Sequence, residues 1–305
     1  MAKRILIALA VVGGAAAVAA YAATGPNRLS ETELAELPEG DAERGELVFW
    51  AGGCASCHAA KDAEGDEKLA LGGGLVLQTD FGDFVVPNIS MDPQDGIGAW
   101  SEEDFANAML RGVSPEGSHY YPSFPYTSFA RMEMSDIADL WAFWQTLPSV
   151  EGATQDHSLT FPFNMRRGLG LWKQAFLSDA PAVELQDPSA EVARGQYLVE
   201  GPGHCGECHS PRDTAGAINY DLWLAGAPNP DGEGRIPNIT GGEGGIGSWS
   251  ASDVAYYLES GFTPDFDSVG GSMVGVQESL AHLPSEDLEA IGAYLKAVPE
   301  HATSP

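Results

Sequence analysis

Basic residues and cysteines are both scarce in this chain of 305 residues. Lys and Arg number 15 against 44 Asp and Glu, which gives a formal net charge of −29 at pH 7. This excess argues against nucleic acid or an anionic lipid surface as a partner, and it favours basic partners or serves solubility. The four cysteines all fall in two short motifs, so none is left over for another role.

The two motifs are Cys54-Ala55-Ser56-Cys57-His58 and Cys205-Gly206-Glu207-Cys208-His209. C-x-x-C-H is the signature of c-type haem attachment, in which both thiols bond to the porphyrin and the histidine becomes the proximal iron ligand. A redox-active dithiol, a zinc knuckle and a set of disulfides are the alternatives. The first two leave the histidines unexplained, so we predict two covalently bound haem c groups. Their predicted ligands are Cys54, Cys57 and His58 for the first haem and Cys205, Cys208 and His209 for the second.

The haem motifs lie within an internal repeat. Further phrases recur 149 to 151 residues apart, which is the mark of a duplicated module. The pairs are Arg44-Gly45 with Arg194-Gly195, Pro87-Asn88-Ile89-Ser90 with Pro237-Asn238-Ile239-Thr240, Gly96-Ile97-Gly98 with Gly245-Ile246-Gly247, and Asp136-Ile137 with Asp287-Leu288. We therefore predict two copies of one module.

Each module is predicted to be a small helical domain. Asp41 and Ser189 are candidate caps of an opening helix, and Gly45 and Gly195 lie where another helix can approach closely. Capping arrangements at Ser101 and Ser250 predict middle helices over residues 102–110 and 251–260. Closing helices are predicted to begin at Ser135 and Ser285 and to end before Pro148 and Pro299. The Gly- and Pro-rich stretches between them are typical of chain that wraps a cofactor rather than builds sheet.

Both modules resemble class I cytochrome c domains. The pair is similar to diheme members of the bacterial family that includes cytochrome subunits of membrane-bound alcohol and sugar-acid dehydrogenases. The resemblance covers residues 40–299. It rests on the two haem motifs, the Pro-Asn-Ile phrases, the phrase from Gly96 to Ser101, the phrase from His119 to Tyr126, and Ser210-Pro211-Arg212 after His209. The dehydrogenase-associated relatives usually carry three haem modules, whereas this chain has two, which weakens the case that it is the same subunit.

The resemblance implies an all-α fold of two tandem class I cytochrome c domains, each wrapped around a covalently bound haem, preceded by an apolar helix. The predicted divisions are residues 1–24 as signal peptide or anchor, 40–150 as the first domain, 151–188 as a connecting segment with a short helix, and 189–300 as the second domain. The segment from Phe161 to Lys173 is basic and aromatic against an acidic background. It is predicted to be a packing helix that fixes the geometry between the domains.

A methionine opposite the histidine raises the reduction potential of a haem and suits an electron carrier. Met273, which lies 64 residues after His209 in a Gly-Gly-Ser-Met loop, is at the place where the family has its ligand. Core packing is the alternative role of Met273. The position 64 residues after His58 is Pro122. It lies beside Phe124, and a phenylalanine cannot bind iron. The resemblance to relatives that have phenylalanine in the phrase from His119 to Tyr126 implies that Met132 is the sixth ligand of the first haem.

Other assignments of the first sixth ligand stay open: Met134, Met109, His119, a tyrosine or an open iron. Pro87 and Pro237 are expected to offer a backbone carbonyl to the proximal histidine. Trp100, Trp249 and Arg212 are candidate partners of haem propionates. The remaining histidines, among them His157, His204, His282 and His301, are not predicted to be ligands.

The N-terminus predicts the compartment. Lys3 and Arg4 precede an apolar run over residues 5–23, which is either a cleaved signal with a small-x-small site at Ala20-Tyr21-Ala22 or a retained membrane anchor. The run is long for a signal, which favours the anchor. Both interpretations predict a periplasmic protein, either soluble or held at the inner membrane.

The predicted function is electron transfer and not catalysis. A donor such as a dehydrogenase or a quinol-oxidising complex would supply single electrons, and a downstream cytochrome or oxidase would accept them. The partners would have basic docking surfaces, and the chain could be a subunit of an oxidoreductase complex. The alternative is a haem enzyme, peroxidase-like or thiosulfate-oxidising, with a catalytic first haem and Phe124 marking an opened site.

Overall fold

Helices make up most of the regular structure. The computed structural model describes residues 2–230, 232 and 234–304. The helices in the first half are α1 (Ala2–Ala23), α2 (Glu31–Leu34), α3 (Ala42–Ala51), α4 (Cys54–His58), α5 (Glu102–Arg111), α6 (Tyr126–Phe129) and α7 (Met134–Trp144). Those that follow are α8 (Leu169–Phe176), α9 (Ala190–Glu200), α10 (Gly206–His209), α11 (Ala251–Ser260), α12 (Met273–Leu280) and α13 (Ser285–Ala297). Short 3₁₀ turns occur at Gly65–Leu69, Arg166–Gly168 and Tyr220–Leu222.

Short strands are also present, so the expectation that the Gly- and Pro-rich stretches build no sheet is wrong. In the first half β1 (Val76–Thr79), β2 (Gly82–Val85) and β3 (Ser158–Leu159) form an antiparallel sheet in that order. In the second half β4 (Ala227–Pro228) pairs with β5 (Arg235–Ile236). Turn residues at Asp80 and Phe81 close the β1–β2 hairpin, and hydrophobic periodicity does not reveal strands this short.

The predicted helix starts agree closely with the structure. The Asp41 carboxylate accepts from the backbone N–H groups of Glu43 and Arg44, and the Ser189 hydroxyl accepts from that of Val192. Ser101 and Ser250 each form a complete capping box. Helix α7 begins at Met134, one residue before the predicted start, because Glu133 already has extended backbone and precedes the first turn.

A helix pair of the same geometry forms the centre of each half. Helix α3 crosses α7, and a Cβ placed on Gly45 would lie 1.9 Å from the carbonyl oxygen of Asp139. Helix α9 crosses α13, and a Cβ on Gly195 would lie 1.8 Å from that of Ala290. Only glycine allows these backbones to approach so closely, as the repeated Arg-Gly phrase predicted.

Each half has its own hydrophobic core. The first core includes Phe49, Leu71, Phe105, Ile137 and Trp144. The second is built from the matching elements and includes Val199, Trp223, Leu288, Ile291 and Tyr294. Ala51 of α3 belongs to the second core, so the two halves are packed against each other.

The connecting segment contains the predicted short helix. It begins in the first sheet through β3, continues through the turn Arg166–Gly168 and forms α8. Lys173 of α8 is buried, and its ammonium donates to the carbonyls of Arg111 and Gly112 at 2.7 and 2.5 Å, at the C-terminal end of α5. These two hydrogen bonds fix α8 to the first half, and burial lowers the pKa of Lys173 to about 7.

Candidate functional site

Both C-x-x-C-H motifs form a short helix at the end of a glycine-containing turn. In the first motif Gly53 adopts the left-handed conformation (φ 57°) and α4 contains both cysteines and His58. In the second, Cys205 caps α10, which contains Cys208 and His209. Helical residues three apart lie on the same face. Each pair of thiols is therefore presented from one side of its helix, as attachment to one porphyrin requires.

The two histidines have the same hydrogen bond. Nδ1 of His58 lies 2.9 Å from the carbonyl oxygen of Pro87, and Nδ1 of His209 lies 2.8 Å from that of Pro237. Because a carbonyl can only accept, Nδ1 carries the proton and Nε2 keeps its lone pair for a metal. The expectation that these prolines orient the histidines is confirmed.

Burial keeps both rings neutral. It lowers the pKa of His58 to about 4 despite the opposing hydrogen bond to Pro87, and it also lowers the pKa of His209. His58 is enclosed by the surrounding chain while part of its own surface stays accessible. An uncharged imidazole with a free Nε2 is the form that binds iron.

The Pro-Asn-Ile phrases hold the accepting carbonyls in place. The side-chain amide of Asn88 donates to the carbonyl of Val150 at 2.7 Å, and that of Asn238 donates to His301 at 2.8 Å. These acceptors lie just after the closing helices α7 and α13. The repeated phrase therefore connects each histidine to the end of the closing helix, which fixes the ring as a supporting hydrogen bond should.

The two predicted methionine ligands come from different points of the repeat. Met273 is the first residue of α12 and packs against the second core. Its counterpart in the first half, 149 residues earlier, is Phe124. Met132 is buried in the first core directly before the cap of α7, and the residue at the same place before α13 is Leu283, which is also buried.

Most alternative first-haem ligands have other contacts. Met109 lies within the buried face of α5, as the sequence indicated, and Met134 opens α7. Nε2 of His119 donates to the carbonyl of Thr24 at 3.0 Å, although its buried Nδ1 has no hydrogen-bond partner within the described residues. Burial raises the pKa of Tyr120 and Tyr126, which disfavours the phenolate that would bind iron.

Three of the remaining histidines have structural contacts instead. Nδ1 of His157 accepts from the backbone N–H of Val85 at 3.1 Å, Nε2 of His204 lies 3.1 Å from the carbonyl oxygen of Gly52, and His282 stacks on Trp50 with ring centroids 3.8 Å apart. These contacts agree with the prediction that none of them is a ligand.

Arg212 has a protein partner. Its guanidinium donates to the Glu207 carboxylate and to the carbonyl of Gly216 at 2.8 Å. These protein acceptors compete with a haem propionate for the guanidinium of Arg212. Trp100 and Trp249 are half-buried at the edges of the two cores. No sequence pattern marks Glu207, which lies inside the second C-x-x-C-H motif and accepts hydrogen bonds from Thr127, Ser128 and Arg212.

The two halves contact each other through their C-x-x-C-H segments. Thr127 and Ser128 of α6 donate to the Glu207 carboxylate at 2.6 and 2.9 Å. In the opposite direction, a Cβ on Gly275 of α12 would lie 3.0 Å from the Cβ of Ser56. Thus the helix near each predicted methionine packs against the C-x-x-C-H helix of the other half, and the arrangement is reciprocal.

The donor set fits covalently attached haem and does not fit a zinc site. Within residues 2–230, 232 and 234–304, no three His, Cys, Asp or Glu side chains come together in a way that could hold a metal ion. Each half instead offers two thiols on one face of a helix and one histidine with a free Nε2. This is the chemistry that haem c requires.

Comparisons with known proteins agree with this chemistry. The cytochrome c family profile matches residues 42–148 of the chain. A "Diheme cytochrome c-type" protein of Cereibacter sphaeroides is 56% identical over 271 residues, which cover 88% of this chain and 90% of that protein.

Subunits of dehydrogenases are also similar. The fructose dehydrogenase cytochrome subunit of Gluconobacter japonicus is 36% identical over 264 residues, covering 86% of this chain and 53% of that subunit. The gluconate 2-dehydrogenase cytochrome c subunit of Pantoea cypripedii is 36% identical over 287 residues, covering 88% and 63%. The chain therefore spans between half and two-thirds of these two longer relatives.

Proposed function

This chain belongs to the diheme c-type cytochromes, electron carriers with covalently bound haem c rather than catalytic enzymes, and from that premise we propose that each half holds one haem. One observation carries the proposal. The two halves present the same thiol pair, the same neutral histidine and the same proline carbonyl, at 2.9 and 2.8 Å. A single haem would leave one of these matched sets without a role.

The residues assigned to the haems are those of the two motifs and two methionines. Cys54 and Cys57 in the first half, with Cys205 and Cys208 in the second, would form the thioether bonds. His58 and His209 would be proximal ligands, and Met132 and Met273 the sixth ligands. When bound, each haem iron takes up and releases one electron, at a potential that the methionine raises. The protein holds the histidine tautomers and keeps the surroundings apolar.

The proposed domains follow the two cores. Residues 40–150 form the first cytochrome c domain and residues 189–300 the second, with residues 151–188 as the connection between them. The separate cores and the matched pairs α3–α7 and α9–α13 support this division. The contacts of Glu207 and Ser56 hold both domains in one arrangement.

We also propose that residues 1–24 are a retained anchor at the inner membrane, with both domains in the periplasm. Lys3–Ala23 is long and apolar enough to cross a membrane, with a mean hydropathy of 2.3, and a signal sequence would have the same composition. The contacts at the end of α1 support retention. Thr24 is buried, and a Cβ on Gly170 would lie 2.3 Å from its carbonyl oxygen. Cleavage after Ala22 would also remove Tyr21, whose carbonyl and ring contact the Arg167 guanidinium.

The proposed partners are a dehydrogenase or quinol-oxidising donor and a downstream cytochrome or oxidase. The names of the relatives from Gluconobacter japonicus and Pantoea cypripedii support a dehydrogenase. The net charge of −29 supports basic docking surfaces on the partners. The contacts around Phe124 do not support the haem-enzyme alternative. Its ring packs edge-on against Tyr120, Tyr126 and Phe129.

Haem content tests the proposal directly. Expressed with a periplasmic haem-maturation system, the wild-type chain should carry two haems by pyridine haemochrome assay. Each of the double variants C54A/C57A and C205A/C208A should carry one, because each removes the thiols of one site only. Ser56→Ala, a change between the cysteines that removes no ligand, is the matched control and should keep two. One haem in the wild type, or two in either double variant, would overturn the assignment.

A further inference from the structure

The end of α1 is held by a built set of contacts. The Arg167 guanidinium donates to the carbonyl of Tyr21, lies 4.0 Å from the centre of its ring, and donates to the Thr24 hydroxyl at 3.1 Å. The Gln174 side chain donates to the carbonyl of Ala23. The last carbonyls of a helix have no partner within the helix, so these side chains complete the C-terminal end of α1 and fix it to the connecting segment.

The outer face of this connecting segment is apolar. Phe161, Phe163, Met165 and Leu171 are exposed by 78, 43, 57 and 58%. Gly170 and Lys173 on the inner face are buried. The backbone between them is fixed, since Phe163 packs edge-on against Phe81 at 4.7 Å and the Trp172 indole donates to the carbonyl of Ala215 at 2.9 Å. These side chains are therefore displayed on a rigid surface rather than on a loose loop.

The charge of the segment differs from that of the whole chain. Residues 157–178 contain no Asp or Glu, although the chain has 44 of them. Arg166, Arg167 and Lys173 lie in the same stretch. A protein of net charge −29 is repelled by an anionic bilayer, and this segment is a place where the body can approach one within a Debye length, about 10 Å at 0.1 M salt.

The length of α1 sets the height of the segment above the bilayer. The 21 residues of Lys3–Ala23 would span about 32 Å, close to the hydrocarbon thickness of about 30 Å. Thr24 then lies at the lipid headgroups, and so does the segment that contacts it. Aromatic and basic side chains are favoured at this depth.

We propose that the outer face of residues 161–171 is a membrane-docking surface that rests on the phospholipid headgroups of the bilayer crossed by α1. This inference rests on the proposed anchor and adds to it an orientation of the body. The exposed Phe, Met and Leu side chains enter the interface, while the Arg166 guanidinium behind them stacks on Tyr121 at 4.8 Å and donates to the carbonyl of His119. The two haem-binding domains are thereby held at a fixed angle to the membrane rather than swinging on a tether.

Lipid labelling of the full-length, haem-loaded protein tests this surface. Vesicles of phosphatidylethanolamine and phosphatidylglycerol, with a trace of phospholipid bearing a photoreactive headgroup, would be irradiated and the labelled peptides mapped. We expect label on α1 and on residues 161–171, and little on residues 262–268. That stretch contains Phe266, which is 82% exposed in the second half.

Matched variants make the result specific. The double variant F161D/L171D adds two charges facing the headgroups, so label on residues 161–171 should fall about fivefold or more while label on α1 stays. Phe266→Asp should change neither. A fall of the same size with Phe266→Asp would contradict the assigned surface.

The outcomes separate the two proposals. Label on α1 alone would keep the anchor and overturn the docking surface, leaving the exposed face to a protein partner that pure lipid lacks. Label on neither would overturn both. Pyridine haemochrome assay of the same samples reports the two haems independently.

Discussion

At the scale of single residues, the histidines and the methionines differ in how fully the structure defines them. Nδ1 of His58 and Nδ1 of His209 each lie close to a proline carbonyl oxygen, at 2.9 and 2.8 Å. The two rings therefore have the same tautomer and the same support. The methionines share no position, since Met273 corresponds to Phe124 and Met132 to Leu283. The first sixth ligand is therefore the assignment that most needs a test.

The second half supplies the design of that test. Because Leu283 fills the place of Met132 in the second core, Met132→Leu should preserve packing while removing sulfur. We expect the far-red absorption band of methionine-ligated ferric haem to fall by half and one reduction potential to fall, since the thioether raises it. Met109→Leu, a buried position in α5, is the control and should change neither. A full band in Met132→Leu and a halved one in Met134→Leu would place the ligand at Met134 instead.

At the scale of elements, α6 and α12 join the two halves. Each packs on the attachment helix of the other half, α6 through hydroxyl groups on Glu207 and α12 through the close approach of Gly275 to Ser56. The side chain of Glu207 is only 8% exposed. A carboxylate this buried needs all of its donors.

Removing the α6 hydroxyls should therefore destabilise the whole protein. The double variant T127V/S128A leaves Glu207 with Arg212 as its charged partner, and we expect the free energy of unfolding to fall by about 1–3 kcal/mol. Guanidinium unfolding followed by haem absorbance measures the loss. Thr146→Val is the control, because that hydroxyl bonds to Phe143 within its own half, and it should have a smaller effect. Equal stability of the two variants would show that Glu207 does not couple the halves.

At the scale of the whole molecule, charge is distributed unevenly. The net charge of −29 excludes close approach to anionic surfaces over most of the body, while residues 157–178 lack acidic groups altogether. The acid-free stretch therefore suits the proposed contact with a bilayer, and the acidic remainder suits the proposed basic partners. The proposed anchored carrier needs both kinds of surface, one for its membrane and one for its partners.

The acidic surface leads to a prediction about rates. If it steers basic redox partners, electron-transfer rates with such a protein should fall steeply as salt is raised, because the Debye length shortens from about 10 Å at 0.1 M to about 3 Å at 1 M. Stopped-flow measurements across this range would show the fall, and an uncharged small-molecule oxidant should show none. Rates with the protein partner that ignore ionic strength would mean that the charge serves solubility.

The sequence by itself determined the local chemistry. Two pentapeptides, each a continuous stretch of sequence, are enough to indicate covalent haem. The caps at Asp41, Ser101, Ser189 and Ser250 placed the helix starts within a residue, because the donor and acceptor of each cap lie within one turn of each other. The repeat also indicated the close crossings at Gly45 and Gly195. The short strands were missed because they are set by pairing across a turn rather than by periodicity.

Only the tertiary structure decided which side chains that are far apart in sequence contact each other. Thr127 reaches Glu207 over 80 residues, and Arg167 reaches Thr24 over 143. No local pattern marks either member of such a pair, because each looks like an ordinary surface side chain until the halves are packed. The acidic composition argued against anionic lipid for the chain as a whole. The fold shows instead that its acid-free, aromatic stretch lies against the end of the apolar helix, because charge acts through its position in space and not through its total.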